Sequence, residues 1–181
     1  MTGGRAPFLY VVVCAAGVAE GVGTLIGAAQ REGWQVGVVA TPPALAFIDP
    51  QAVQELTGHP VRSAWRRPGD PRPLPPADAV ALAPATFNTV NKWAAGISDT
   101  LALGILCEAP GLGTPVAVQP CLNTAQAAHP AYRANLDTLR SMGVLIGTQP
   151  PVTGKETAGR TFDWTEPLTL LRPVLDARRD V

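Results

Sequence analysis

Charge is scarce in this chain: 15% of the residues are Asp, Glu, Lys or Arg, and the 14 basic residues balance the 14 acidic ones. No net field draws such a protein to nucleic acid or to an anionic membrane. Aromatics make up only 6%. Histidine is limited to His59 and His129, so a two-histidine metal site would need both and a carboxylate from elsewhere, and no spacing supports one. The three cysteines, Cys14, Cys107 and Cys121, show neither metal-ligand spacing nor an even disulfide framework. That pattern fits free thiols in a reducing, cytoplasmic compartment. The apolar stretch from Phe8 to Val13 has neither the length of a membrane span nor the length and cleavage site of a signal peptide. Also missing are Gly-x-Gly-x-x-Gly after the first strand, a phosphate-loop Gly-Lys-Ser/Thr and a Gly-x-Ser-x-Gly elbow. The glycines at 17, 21, 23 and 27 imitate the first of these, but only Gly17 falls in the turn; the others suit close packing of the first helix.

What the chain does have is a regular alternation of short apolar runs with helical patterns. At 181 residues it fits one domain, 1–181. The β-branched run from Phe8 to Cys14 reads as a strand buried on both faces. Ala15 to Gly17 turns, and Val18 to Arg31 repeats apolar residues at helical spacing before Gly33. Further strands are predicted at 34–40, 79–83, 114–119 and 144–146, and helices at 89–97, 100–107, 131–142 and 166–177. A short helix starts at Asp49-Pro50, with Asp49 as N-cap. Between Gly58 and Pro76, six prolines interspersed with arginines impose a long loop. The fold class expected is α/β, a Rossmann-like (flavodoxin-like) three-layer sandwich around a mostly parallel sheet.

In such sheets ligands bind beyond the carboxyl ends of the strands. Four segments lie there: Ala15 to Gly17, Ala40 to Pro43, Pro84 to Thr89 and Gln119 to Asn123. Three of the four carry hydroxyl or amide side chains, and helix starts with free N–H groups favour an anion. A phosphate-bearing small ligand is one reading. The other is that Thr41, Thr86 and Thr89 cap helices. His59 suits an exposed or capping role, whereas His129 is open between lining a pocket and standing outside it. Asp99 is a natural N-cap for the helix from Thr100, Trp93 suits a core or a subunit seam, and nothing near Cys121 lowers its thiol pKa.

The stretch Pro84-Ala-Thr-Phe-Asn-Thr89 resembles the Pro-Ala-Ser-Ala-Asn-Thr motif of the homo-oligomeric flavin-containing cysteine decarboxylases, among them the phosphopantothenoylcysteine and peptidyl-cysteine (lantibiotic) decarboxylases. Asn91-Lys92 with Ala95-Gly-Ile-Ser-Asp99 is similar to that family's next motif. Pro120-Cys-Leu-Asn123, Pro130 and Asn135-Leu136 fall where its Pro-x-Met-Asn segment and the helix after it belong. The resemblance covers residues 8 to 148.

It implies FMN bound at a subunit interface of a homotrimer, in some members assembled into a dodecamer; a chain so poor in surface charge suits self-association. Gly17, Thr41, Phe47, Pro84, Ala85, Thr86, Asn88 and Thr89 would hold the cofactor, and Asn88, Cys121, Leu122 and Asn123 the substrate. The segment 150–165, with Val152 to Arg160 at its heart, resembles the flap that closes over substrate. The implied reaction is oxidative decarboxylation of a terminal cysteine, peptidyl or related, the flavin performing the oxidation. The position of the family's catalytic histidine, fourteen residues before Pro84, is held by Asp70. Asp70, Asn123 and His129 are therefore the catalytic candidates. No cysteine follows Cys121 to serve the coenzyme A pathway's flap role, which points away from phosphopantothenoylcysteine and toward a peptide. The alternative is an FMN-binding subunit or regulatory flavoprotein without decarboxylase activity.

Overall fold

The structure is a computed structural model that describes residues 5–148 and 161–179. Five strands form its sheet: β1 (Phe8–Val13), β2 (Gln35–Ala40), β3 (Ala79–Ala85), β4 (Val116–Pro120) and β5 (Leu145–Ile146). All neighbours pair in parallel, in the order β2-β1-β3-β4-β5. That is the doubly wound, flavodoxin-like order, in which the winding reverses between β1 and β3 and opens a crevice at their carboxyl ends. β1 and β3 sit innermost and are nearly wholly buried, which is why their sequences, FLYVVV and AVALAPA, are continuously apolar instead of alternating.

Among the described residues seven α-helices cover the two faces: α1 (Val22–Arg31), α2 (Pro50–Thr57), α3 (Phe87–Ala94), α4 (Leu101–Glu108), α5 (Thr124–Ala128), α6 (Pro130–Ser141) and α7 (Glu166–Arg179). Leu25 and Ile26 of α1, Val53 of α2 and Leu171 of α7 pack on Leu9, Val11 and Val13. Trp93 of α3, Leu106 of α4 and Leu139 of α6 pack on the other face, against Phe8, Val12 and Leu82. Each such side chain, fully buried, contributes about 1.5–3 kcal/mol. The three-layer expectation holds, and no helix among the described residues is long and apolar enough to cross a membrane.

Local departures have local causes. Asp49 caps α2 as expected, its Oδ1 accepting from the Gln51 and Ala52 N–H groups at 3.0 and 3.2 Å. Asp99 does not cap α4. Thr100, one residue later, does so by accepting from the Leu103 N–H at 3.3 Å, while Asp99 turns back to the Lys92 ammonium. α1 starts four residues later than the pattern indicates, after a 3₁₀ turn at Ala19–Gly21. Gly21 there presses on the Trp164 indole, 3.0 Å from where a Cβ would stand, and Gly23 faces Leu56, whereas Gly27 meets only Arg31 of its own helix. α3 begins at Phe87, two residues before the expected start, and α5 was not expected at all. The Pro-rich segment 58–76 is a loop that makes one β-bridge to the sheet, Val39 to Arg62, buries Leu74 in the core, and accepts at the Pro75 carbonyl from the Tyr10 hydroxyl at 2.6 Å. His59 is neither exposed nor a cap; its ring lies edge-on to Phe8, centroids 5.3 Å apart.

Candidate functional site

The ends of β1, β2, β3 and β4 feed one cleft of about 700 Å³. Its walls are Ala15–Val18 after β1, Thr41–Pro43 after β2, Thr86–Thr89 after β3 and Cys121–Asn123 after β4. Lys92 of α3, Asp99 and Thr100 in the turn after it, Leu103 of α4 and Gln126 of α5 complete it. The crevice demanded by the strand order and the four rim segments read from the sequence are therefore one place.

Thr41, Thr86 and Thr89 are not helix caps. Thr86 holds the N-cap position of α3, yet its hydroxyl bonds no backbone N–H of the helix; it meets the Thr89 hydroxyl at 3.1 Å. Thr89 is buried and accepts in addition from the Cys14 thiol at 3.2 Å. Burial pushes the Cys14 thiol up, its bonds to Thr89 and Thr86 opposing the rise. Thr41 likewise makes no side-chain cap; its backbone N–H donates to the Val13 carbonyl at 2.9 Å, which leaves the hydroxyl at the cleft wall. A Cβ on Gly17 would meet nothing within 4 Å, so the cleft lies open against its backbone. Asn88 is exposed on the first turn of α3.

The rim after β4 is built around Asn123. Its Oδ1 accepts from the Gln126 N–H at 2.7 Å and the Gln126 Oε1 accepts from the Asn123 N–H at 3.4 Å, a capping box that starts α5. With Oδ1 so engaged, the Nδ2 amide has no partner among the described residues. Burial pushes the Cys121 thiol up to about 11, so it stays neutral at ordinary pH and is no nucleophile. Leu122 is a buried apolar part of the same wall.

Five expected site residues stand elsewhere. Pro84 and Ala85 lie inside β3, where their carbonyls accept from the Cys14 and Cys121 N–H groups at 3.3 and 2.8 Å; they set the spacing of two rims without facing the cleft. Phe47 is 44% exposed and outside the cleft wall. Asp70 is exposed in the Pro-rich loop, its Oδ2 accepting from the Arg67 N–H at 2.9 Å. His129 is exposed and caps α6, its Nδ1 accepting from the Ala131 N–H at 3.1 Å; its ring meets the cleft only through an edge-on contact with Phe87. The flap-like stretch from Val152 to Arg160 lies outside the described residues. Sequence reasoning missed the Lys92–Asp99 pair and Gln126 as lining groups. The Asn-x-x-Gln spacing was available for the latter. Among the described residues no cluster of His, Cys, Asp and Glu is grouped to hold a metal ion.

Comparison with known proteins agrees with the fold. A family model described as Flavoprotein matches residues 8–167. The coenzyme A biosynthesis bifunctional protein CoaBC of Escherichia coli is 34% identical over 128 residues, 67% of this chain and 31% of that protein. This chain thus spans about a third of the length of the curated relatives it matches first. Among solved structures, the FMN-dependent cysteine decarboxylase SpaF superposes with a TM-score of 0.74 at 25% identity, covering 93% of this chain and 97% of its own. The FMN-dependent cysteine decarboxylase TvaF from thioviridamide biosynthesis gives 0.70 at 28% identity, covering 80% and 91%. The residues that line the cleft all fall within the matched span 8–167, and the chain belongs to the Flavoprotein family.

Proposed function

We propose that the chain binds FMN in the cleft at the β1/β3 switch point and catalyses oxidative decarboxylation of a substrate ending in cysteine, a peptide being the best fit. The observation that carries this reading is the convergence of four post-strand rims on one cleft, with an open glycine backbone at Gly17, hydroxyls at Thr41 and Thr86, and a free amide at Asn123. A volume of about 700 Å³ lies within the usual range of small-molecule sites. Gly17 and the start of α3 would hold the phosphate end, where backbone N–H groups favour an anion. FMN, when bound, supplies the two-electron oxidation that makes loss of CO₂ from the cysteine possible.

The rest falls to the protein's own side chains. The Asn123 Nδ2 would hold the substrate carboxylate, and Leu122 would give its side chain an apolar wall. Lys92 places an ammonium in the cleft, held by Asp99. The thiol proton needs an acceptor, and Cys121 is too weak an acid for its thiolate to be available. Asp70 and His129 do not line the cleft of their own chain. A role for either calls for a neighbouring copy, and so favours a homo-oligomer, a trimer or a dodecamer built from trimers. The test is to purify the protein, identify its cofactor and native mass, and incubate it with a cysteine-terminated peptide. Loss of CO₂ and two hydrogens, about 46 mass units, is expected. An unchanged peptide with a flavin-loaded oligomer refutes the activity.

A second reading, FMN binding without decarboxylation, draws on one observation: neither histidine of the chain lines the cleft. It is preferred if FMN is retained while Asn123→Ala and Asp70→Ala leave the cellular function of the protein intact.

A further inference from the structure

α4 separates the first cleft from a second. Thr100 and Leu103 face the first, while Leu101, Ile105 and Glu108 face a trough of about 590 Å³ under the Pro-rich loop. Its composition is unlike the rest of this weakly charged chain. Three guanidiniums, Arg62, Arg66 and Arg72, line it against a single carboxylate, Glu108. Among the described residues none of the three is in an ion pair: the Arg62 and Arg66 guanidiniums donate only to the Ala64 and Asp70 carbonyls, and the Arg72 guanidinium makes no hydrogen bond. Arg72 and Arg62 stand near enough to the Tyr10 hydroxyl to oppose the rise that burial gives its pKa. Between the charges lies apolar surface. Trp65 is 57% exposed and Leu112 74% exposed, and the Trp65 ring lies so close over α4 that a Cβ on Gly104 would fall 2.2 Å from it.

Unpaired cations around a floor of Trp and Leu complement a segment bearing both carboxylates and apolar side chains. An isolated inorganic anion would leave that floor unused. We propose that this trough docks the acidic stretch of a peptide lying just upstream of the cysteine held in the first cleft. The order of the two clefts along the peptide rests on the cysteine-peptide reading above; the acidic docking does not. A helix about 10 Å across separates them, and an extended chain crosses that in about three to five residues. The carboxylates are accordingly expected to begin about four residues before the cysteine.

Two measurements on the flavin-loaded protein decide this. The first is fluorescence anisotropy of a labelled peptide containing Asp, Glu and Leu but no cysteine, beside the same peptide with Asn and Gln in place of the acids. The acidic peptide is expected to bind about ten-fold more tightly, the advantage fading with added salt and vanishing in Arg62→Gln/Arg66→Gln/Arg72→Gln. Arg72→Gln alone, which breaks no hydrogen bond, is expected to weaken binding about two- to five-fold and covers the case in which the triple variant fails to fold. The second measurement uses the same pair of peptides extended by a C-terminal cysteine: the acidic one is expected to show a lower KM at equal kcat, with the difference lost in the arginine variants. If no cysteine peptide is decarboxylated but the anisotropy difference holds, the enzymatic reading fails and the docking site stands. Equal binding of the two peptides, or undiminished binding by the variants, overturns the docking site. So does a change of native mass in the variants with peptide binding intact, which would make the trough a seam between copies.

Discussion

Asn123 carries two duties, and one substitution separates them. Its Oδ1 caps α5, and the residue lines the cleft with its Nδ2 unengaged among the described residues. Asn123→Ala removes both: loss of an N-cap costs about 0.5–2 kcal/mol, so a fall in activity would be ambiguous. Asn123→Asp keeps an acceptor for the Gln126 N–H and is as good a cap, with a negative charge at a helix start. Its thermal midpoint is expected to stay within about 2 °C of the parent's, since about 1 kcal/mol moves a chain of this size by about 2–4 °C. The ligand side changes sign. A donor to a carboxylate is worth about 1.5–3 kcal/mol, and its replacement by a like charge forfeits all of that and adds repulsion. The expected result is a fall in kcat/KM of at least about ten- to hundred-fold, carried mainly by KM, with flavin content unchanged. The assay is steady-state decarboxylation of a cysteine peptide followed by mass spectrometry, with flavin absorbance and a melting curve on the same preparation. Unchanged kinetics in a well-folded Asn123→Asp would refute the assignment of Nδ2 to the substrate carboxylate. A lower midpoint with unchanged flavin content and kinetics would make the residue a cap alone.

Two other perturbations test the cleft. Gly17→Ala meets no neighbour in the protein and its φ is not positive, so the substitution should leave stability equal or raise it by about 0.4–1 kcal/mol, yet place a methyl where the flavin approaches the backbone. Flavin retention after gel filtration should drop while the melting temperature holds; full retention would move the phosphate site elsewhere. Cys121 gives a pH signature. Its thiol is raised from an ordinary 9.0 to about 11 in the folded state, so an unfolded chain ionises it first, and the stability it lends is whole below pH 9 and lost as pH rises toward 11. Denaturant titrations at pH 9 and pH 10 should show Cys121→Ala losing about 1 kcal/mol less over that interval than the parent, and equal losses would contradict the burial argument.

The strands were legible because their runs are long and β-branched, and the helices because their apolar residues recur at three and four. What escaped was decided by partners distant in sequence. Pro84 is a breaker by any local rule, yet β3 runs through it to Ala85: the sheet's register shifts between Leu82 and Ala85, and what this stretch contributes is carbonyls, one to Cys14 and one to Cys121. Asp99 was the expected cap of α4, but Lys92, seven residues before it, draws the carboxylate away and Thr100 caps the helix instead. α5 is five residues long, too short for a period to show, and only its capping box announced it.

The site divides along the same line. The rims were readable because a parallel sheet puts every strand's carboxyl end on one edge, whatever the strand order, so hydroxyls and amides in those turns had to meet. Which polar groups face inward was not readable, because it depends on what each has already bonded. Asn123 shows its amide because Gln126 claims its oxygen, and Thr86 shows no cap because Thr89 claims its hydroxyl. The same holds for the arginines at 62, 66 and 72, which the sequence placed only in a long loop. A proline-rich segment gives no period from which to infer a face, and their common orientation comes from α4, whose Gly104 admits the Trp65 ring and so lays the loop across the trough. Gly104→Ala is therefore the conformational counterpart of the arginine substitutions: it should displace Trp65, weaken binding of the acidic peptide, and leave the flavin absorbance as it was. A lost flavin spectrum would mean that α4 transmits the change to the first cleft and that the two sites are not separable by this route.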